Sequence, residues 1–256
     1  MTYQEFEALY LPLAVSLPAV CRGARPMEKL HCICEKLVEN NRKYNLTAIT
    51  EPEAVVEKHI VDSLLPLGIL VEKGILTPEL TRPDGGTLRL MDVGAGAGFP
   101  SLPFGAVLPS GTTRILAVDS TAKKIRHISE TAAEAGIGHL AAEAGRAEDM
   151  ARGRLRESFY TVTARAVADM RILAELCAPF AAVGGYVVAL KGSKAEEEVT
   201  GAAKITRALG LGEPEIVKYT IPSGDGRALV IYKKEEKTPE IYPRSYAKIK
   251  SDSGTV

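Results

Sequence analysis

Between Asp92 and Phe99 the chain reads Asp-Val-Gly-Ala-Gly-Ala-Gly-Phe, a carboxylate followed by glycines at every second position. Glycine tolerates positive φ and carries no Cβ, so such a loop lets backbone amides come close to a ligand. The loop follows the apolar run Leu88 to Val93, as it would on leaving a strand. A second carboxylate, Asp119, closes the next strand-like run, Arg114 to Val118. Strand, acid, glycine loop, strand, acid is the order of a site that binds an adenosine-containing cofactor.

The details choose between cofactors. A dinucleotide loop of the form G-x-G-x-x-G would place its third glycine where this chain has Phe99. Asp92 would repel a pyrophosphate, and it suits a ligand that carries a positive amine and a sulfonium. S-adenosylmethionine is such a ligand. Asp119 fits the ribose hydroxyls of either cofactor and does not discriminate. The plain alternative is a tight turn at Gly94, Gly96 and Gly98 with Asp119 as a helix cap. The ordered combination of these features favours the cofactor.

The elements around these residues follow from periodicity. Leu30, Ile33, Cys34 and Leu37 predict a helix over Met27 to Val38, ended by Asn40 and Asn41. Pro52 opens another, with Ala54, Val55, Lys58, His59 and Asp62 in helical register. Thr77 to Thr87, rich in proline and glycine, reads as a linker. Beyond it, strands and helices alternate. Further strands are expected at His139–Ala144, Phe159–Ala164 and Tyr186–Leu190, and helices at Lys123–Ala135, Met170–Ala182 and Lys194–Leu209. Ile216–Ile221 and Ala228–Lys233 form a closing hairpin. The fold expected is α/β and Rossmann-like, a mostly parallel seven-stranded sheet with helices on both faces and an N-terminal helical extension. The expected divisions are 1–75 for the extension, 76–236 for the core and 237–256 for a basic tail.

Composition sets limits. Lys plus Arg and Asp plus Glu are 32 each, so any nucleic-acid face must be local. No apolar run is long enough for a transmembrane helix. Ala8 to Cys21 is preceded by Glu5 and Glu7 and broken by Pro12 and Pro18, which argues against a secretory core. A soluble, cytoplasmic protein is expected. Cys21, Cys32, Cys34 and Cys177 lack zinc-site spacing and read as reduced core thiols, so no metal is expected.

Several stretches together resemble the RsmG (GidB) family of bacterial enzymes that methylate N7 of a guanine in 16S ribosomal RNA. They are Asn41-Arg-Lys-Tyr-Asn-Leu-Thr47, Lys58-His-Ile-Val-Asp-Ser-Leu64, Met91 to Pro100, Val118-Asp-Ser120, Gly145-Arg-Ala-Glu148, Ala164-Arg-Ala166, Leu190-Lys-Gly192 and Tyr242-Pro-Arg244. The resemblance implies S-adenosylmethionine as cofactor, with contacts at Gly94, Phe99, Ala147, Glu148 and Arg165. To these the residues themselves add Asp92, Gly96 and Asp119. Arg165 is the candidate for positioning the reactants. Taken singly, Phe99 reads equally as core, Glu148 as a helix first-turn acid and Arg165 as a surface ion pair. Two departures stand out: Ser101 where the family usually has glycine, and a C-terminal basic run reduced to Tyr242–Lys250.

The same resemblance implies 16S ribosomal RNA or the small ribosomal subunit as partner, with no membrane and no obligate protein partner evident. Candidates for the substrate side are Arg42, Lys43, His59, Asp62, Lys123, Lys124, Arg126, Lys191 and Arg244, each of which also reads as a solvated or packing side chain. Asn45 and Thr47 read either as a cap for the next helix or as a substrate-side loop. Guanine N7 presents an unprotonated lone pair, so its methylation needs positioning and desolvation rather than a general base. Three other readings remain open on the residues alone: a small-molecule methyltransferase, an NAD-dependent dehydrogenase, and a non-catalytic ribosome-associated protein.

Overall fold

A computed structural model describes residues 1–165 and 168–253. Ala166, the last residue of the Ala164-Arg-Ala166 stretch, lies outside the described residues. The N-terminal part is helical: α1 (Tyr3–Leu13), α2 (Ala24–Tyr44), α3 (Pro52–Val55) and α4 (Asp62–Glu72), with a π-helical turn (Val56–Val61) joining α3 to α4. Pro52 does occupy the first turn of α3. The end of α2 differs from the expectation. Asn40 is buried and its side chain meets His127 Nδ1 at 3.1 Å, so the helix continues past it. Asn45 caps α2 instead, in the left-handed conformation with φ 51°. Asn41 then fastens the loop that follows: its Oδ1 accepts from the Leu46 and Thr47 amides at 2.6 and 2.9 Å.

After these helices the chain alternates. It runs β1 (Leu88–Val93), α5 (Ser101–Val107), β2 (Thr113–Asp119), α6 (Ala122–Glu134), β3 (Leu140–Ala144), α7 (Ala147–Met150) and β4 (Phe159–Arg165). It ends with α8 (Met170–Cys177), β5 (Ala181–Lys191), α9 (Ala195–Ala208), β6 (Glu215–Thr220), β7 (Gly226–Lys233) and α10 (Tyr246–Ser253). The seven strands form one sheet in the order β3-β2-β1-β4-β5-β7-β6. The first five are mutually parallel, and β7 is antiparallel to both β5 and β6.

Alternation along the strands sorts the core into two layers. Leu88, Leu90, Ile115, Ala117, Val188, Leu190, Leu229 and Ile231 join the helices α1 to α6 on one face. Met91, Val93, Val118, Val162, Ala164, Val187, Ala189, Val230 and Tyr232 join α8 and α9 on the other. Sequence periodicity fixes this because a parallel strand covered on both faces must be apolar at odd and even positions alike. Among the described residues, no helix is long and apolar enough to cross a membrane. Cys21, Cys34 and Cys177 are buried free thiols and Cys32 is half-buried.

The helix expected over Met170–Ala182 is shorter than its apolar pattern. It stops at Cys177, a short 3-10 turn follows, and β5 already begins at Ala181. Gly184 and Gly185 lie inside the strand rather than before it. They sit where the β4–β5 register jumps between Phe159 and Thr161. A Cβ at Gly185 would stand 2.6 Å from the Tyr160 carbonyl oxygen, so only glycine fits this bulge. Gly185→Ala is expected to cost about 1–3 kcal/mol of stability, as overpacking against fixed backbone does. Urea unfolding of the two proteins checks it, and an unchanged midpoint would contradict this account of the bulge.

Candidate cofactor and substrate site

The loop after β1 is suspended between two carboxylates. Gly94, Gly96 and Gly98 have φ of 70°, 59° and 90°, conformations that favour glycine. The Gly94 and Ala95 amides donate to the Val118 carbonyl at 2.8 and 2.9 Å, which continues the β1–β2 ladder into the loop. The Gly96 amide donates to Asp119 Oδ2 at 3.0 Å. On the other side the Ser101 amide donates to Asp92 Oδ2 at 3.2 Å, at the start of α5. Ser101, the departure from the family pattern, thus begins the helix as a glycine would.

Asp92 corrects the sequence reading. Its carboxylate is fully buried and also receives the Thr163 hydroxyl at 3.4 Å, so it braces the loop from beneath instead of facing a ligand amine. Burial pushes its pKa up to about 6, against the hydrogen bonds from Ser101 and Thr163 and the charge of nearby Arg165.

A cleft of 290 Å³ opens at the carboxyl ends of β1, β2 and β3, lined by Gly94, Asp119, Ser120, Gly145, Ala147, Glu148 and Tyr246 among others. That is the small end of the range of roughly 300–1,000 Å³ for ligand sites. Four expected cofactor residues therefore come together here: Gly94, Asp119, Ala147 and Glu148. Gly96 and Asp92 hold the loop. Asp119 Oδ1 accepts from the Thr121 amide at 2.8 Å, and Lys124 Nζ is 3.7 Å from Oδ2. Glu148 accepts from Arg146 Nε at 2.9 Å. The residues fit S-adenosylmethionine: backbone without Cβ at Gly94, and carboxylates placed for ribose and adenine donors at Asp119 and Glu148. Ser120 and Gly145 were visible in sequence as neighbours of the motifs. Tyr246 was not, because nothing local marks a residue that far downstream as part of this cleft.

Arg165 is not among the residues that line that cleft, although its charge acts on Asp92 and on His59, which stacks on Phe99. It lines a second cleft at the carboxyl ends of β4 and β5, with Asp62, Lys191, Glu198, Tyr219 and Arg227. The π turn prepares its seat. In an α-helix the Asp62 amide would donate to Lys58; here it donates to Glu57, and the Lys58 carbonyl accepts from Arg165 Nη2 at 2.6 Å. Arg165 Nη1 also donates to the Ser63 hydroxyl at 3.0 Å. Buried Asp62 accepts from Arg165 at 3.3 Å and from Arg227 Nε at 3.0 Å, so one carboxylate holds two guanidinium groups. Arg227 was missed by sequence reasoning, since it reads as an ordinary hairpin residue. Its partner Asp62 is 165 residues away along the chain.

His59 and Phe99 are stacked at 4.7 Å with their planes 16° apart. His59 Nε2 meets the Thr47 hydroxyl at 2.9 Å, while its buried Nδ1 has no partner. Burial, then the charge of Arg165, lowers its pKa to about 4, so the ring is neutral at neutral pH. Thr47 also accepts from the Ile49 amide at 3.0 Å. The Asn-Leu-Thr stretch therefore serves to seat His59.

The family model described as GidB, rRNA small subunit methyltransferase G, matches residues 26–225. The chain is 42% identical to ribosomal RNA small subunit methyltransferase G of Lactobacillus johnsonii, over 82% of this chain and 84% of that one. It is 39% identical to the protein of the same name in Streptococcus sanguinis, over 95% and 96%. The chain belongs to the GidB family. Solved structures agree on fold: the CurJ carbon methyltransferase matches with TM-score 0.53 at 13% identity, over 91% of this chain and 70% of that one. A Klebsiella pneumoniae protein assigned as an O-methyltransferase matches with TM-score 0.52 at 14% identity, over 90% and 99%. The fold is that of the S-adenosylmethionine-dependent methyltransferases.

In this GidB-family chain the basic candidates divide. Lys191 is buried, and its Nζ bonds the Ala168 carbonyl and Glu198 Oε2. Arg244 holds the fully buried Glu175, with Nη2 at 2.7 Å from Oε2, and also pairs with Asp252. Lys191 thus meets the second cleft with its ammonium already paired, and half-buried Arg244 is engaged with two acids. Arg42, Lys43, Lys123 and Arg126 are exposed, and Lys124 is half-exposed beside Asp119. The Asn40–His127 contact draws the end of α2 toward the start of α6, so these charges gather on adjoining helix ends.

Asp92 makes a pH prediction. Its folded pKa of about 6 lies above the unfolded value of about 3.9, so the unfolded chain loses the proton first as pH rises. Its contribution to stability is present at low pH and is lost between about pH 4 and about pH 6. Relative to Asp92→Asn, wild-type stability should therefore fall across that window by about 2–3 kcal/mol, measured by urea unfolding at each pH. Parallel pH curves for the two proteins would rule this out.

Proposed function

We propose that this chain transfers the methyl group of S-adenosylmethionine to N7 of a guanine in small-subunit (16S) ribosomal RNA, in the cytoplasm. Family membership supports the reaction class and the rRNA substrate. The observation that carries the site assignment is the pair of clefts at the carboxyl edge of the sheet, one on each side of the boundary between β1 and β4. That boundary is where strand order reverses, the position at which open α/β sheets bind ligands. Gly94, Asp119, Ala147 and Glu148 would hold the cofactor, which when bound supplies a methyl group on a sulfonium. Phe99 would lie against the cofactor, with the neutral His59 ring stacked on it.

Arg165 is a positioning residue in this reading. Ser63, the Lys58 carbonyl and Asp62 fix its guanidinium at the lip of the second cleft. Arg165, Arg227 and Lys191 bring three positive charges to the cleft against the two carboxylates that line it, Asp62 and Glu198, with Asp225 also beside Arg227, which leaves the lip suited to an RNA segment. Exposed Arg42, Lys43, Lys123 and Arg126 would add phosphate contacts from the adjoining helix ends. No side chain needs to remove a proton, because N7 presents a lone pair.

Incubation with labelled S-adenosylmethionine and small ribosomal subunits or their rRNA, followed by nuclease digestion, should yield 7-methylguanosine at one position. Label in another nucleoside, or none with saturating cofactor, would overturn the proposal. The rate should also be level within roughly twofold from about pH 7 to about pH 8.5, as expected without a titrating general base. An imidazole-like step in that window would contradict the role given to His59.

A further inference from the structure

The C-terminal segment is built into the cofactor cleft. Arg156 Nη1 donates to the Tyr242 carbonyl at 2.9 Å, and Arg152 to the Pro243 carbonyl. The Arg244 amide and its Nε both reach Glu175 Oε1, at 2.8 and 2.9 Å. Glu175 is fully buried in α8, so the chain is fastened to the core two residues before α10 begins. Ile249 then anchors α10 itself, at 2% exposure. These ties leave little freedom for the first residue of α10, Tyr246.

Tyr246 lines the cleft with Gly94, Asp119 and Glu148, and it is the single aromatic side chain among the described residues that do so. Arg146 connects it to the rest of the wall. Its guanidinium carbon lies 4.6 Å from the Tyr246 ring centroid, and its Nη2 is 2.8 Å from Glu148 Oε1. A flat π system bound between Gly145, Ala147 and two carboxylates needs an apolar face to lie against. The loops after β2 and β3 supply edges and backbone, and the other apolar lining residues, Val93, Val118 and Leu176, are aliphatic and offer no flat face.

We propose that Tyr246 is the stacking wall for the adenine of the cofactor, so that the C-terminal segment completes the S-adenosylmethionine site. This rests on the cofactor reading above. In the segment expected as a basic tail, Arg244 is then spent on Glu175 while Tyr246 presents an aromatic ring to the nucleoside.

Calorimetric titration with S-adenosylhomocysteine tests it on the wild type and on Tyr246→Ala, Tyr246→Leu and Tyr246→Phe, with thermal unfolding of each ligand-free protein alongside. Loss of one base–aromatic stack should weaken binding roughly five- to hundredfold in the Ala and Leu variants. The Phe variant, which keeps the ring, should bind within about twofold of wild type. Leu keeps the bulk that packs on α8 and so guards against simple loss of the helix. Wild-type affinity in the Leu variant, tighter binding in the Ala variant, or equal losses in Phe and Leu would each overturn the proposal. A wild type that fails to bind S-adenosylhomocysteine would overturn the cofactor reading itself, and this inference with it.

Discussion

The glycine loop after β1 has to bring bare backbone to the carboxyl edge of the sheet, and bare backbone does not hold its own shape. Here two carboxylates hold it. Asp119 takes the Gly96 amide from the β2 side, and Asp92 takes the Ser101 amide from below. Each also ties the loop to a further element: Asp119 to Thr121 before α6, and Asp92 to Thr163 on β4. A buried acid with no cation at hydrogen-bond distance is costly, which is why burial raises the pKa of Asp92. The cost is accepted where it fixes the one segment on which cofactor geometry depends.

The second organising contact lies across the sheet. The π turn at Val56–Val61 shifts the hydrogen-bond register of one helix by a residue and lets the Lys58 carbonyl receive Arg165. Asp62 then gathers Arg165 from β4 and Arg227 from β7. Removing that carboxylate would leave two adjacent guanidinium groups facing each other in a half-buried site. The N-terminal helices are therefore part of the site's construction, since they supply His59, Asp62 and Ser63 to an edge made by distant strands.

Basic residues serve two ends in this molecule. Lys191 and Arg244 neutralise half-buried Glu198 and buried Glu175. Arg42, Lys43, Lys123 and Arg126 remain on the surface where α2 and α6 converge. A chain of zero net charge can thus present a local positive face, because some of its cations are spent inside and others are concentrated outside.

The sequence by itself determined the alternating strands and helices, the glycine loop, its acids and the family. Those signals are local: periodicity of 2 or 3.6, glycines where φ must be positive, and short motifs in a set order. It also named Gly94, Asp119, Ala147 and Glu148, which lie at successive strand ends and so converge once the sheet is parallel. Only the tertiary structure decided what each charged group faces. Asp92 turned inward, Arg165 found Asp62 and Ser63, Lys191 and Arg244 found acids, and Arg227 and Tyr246 entered sites far from them in sequence. The physical reason is that a side chain's partner across the fold is set by packing of distant elements, and spacing along the chain carries no record of it.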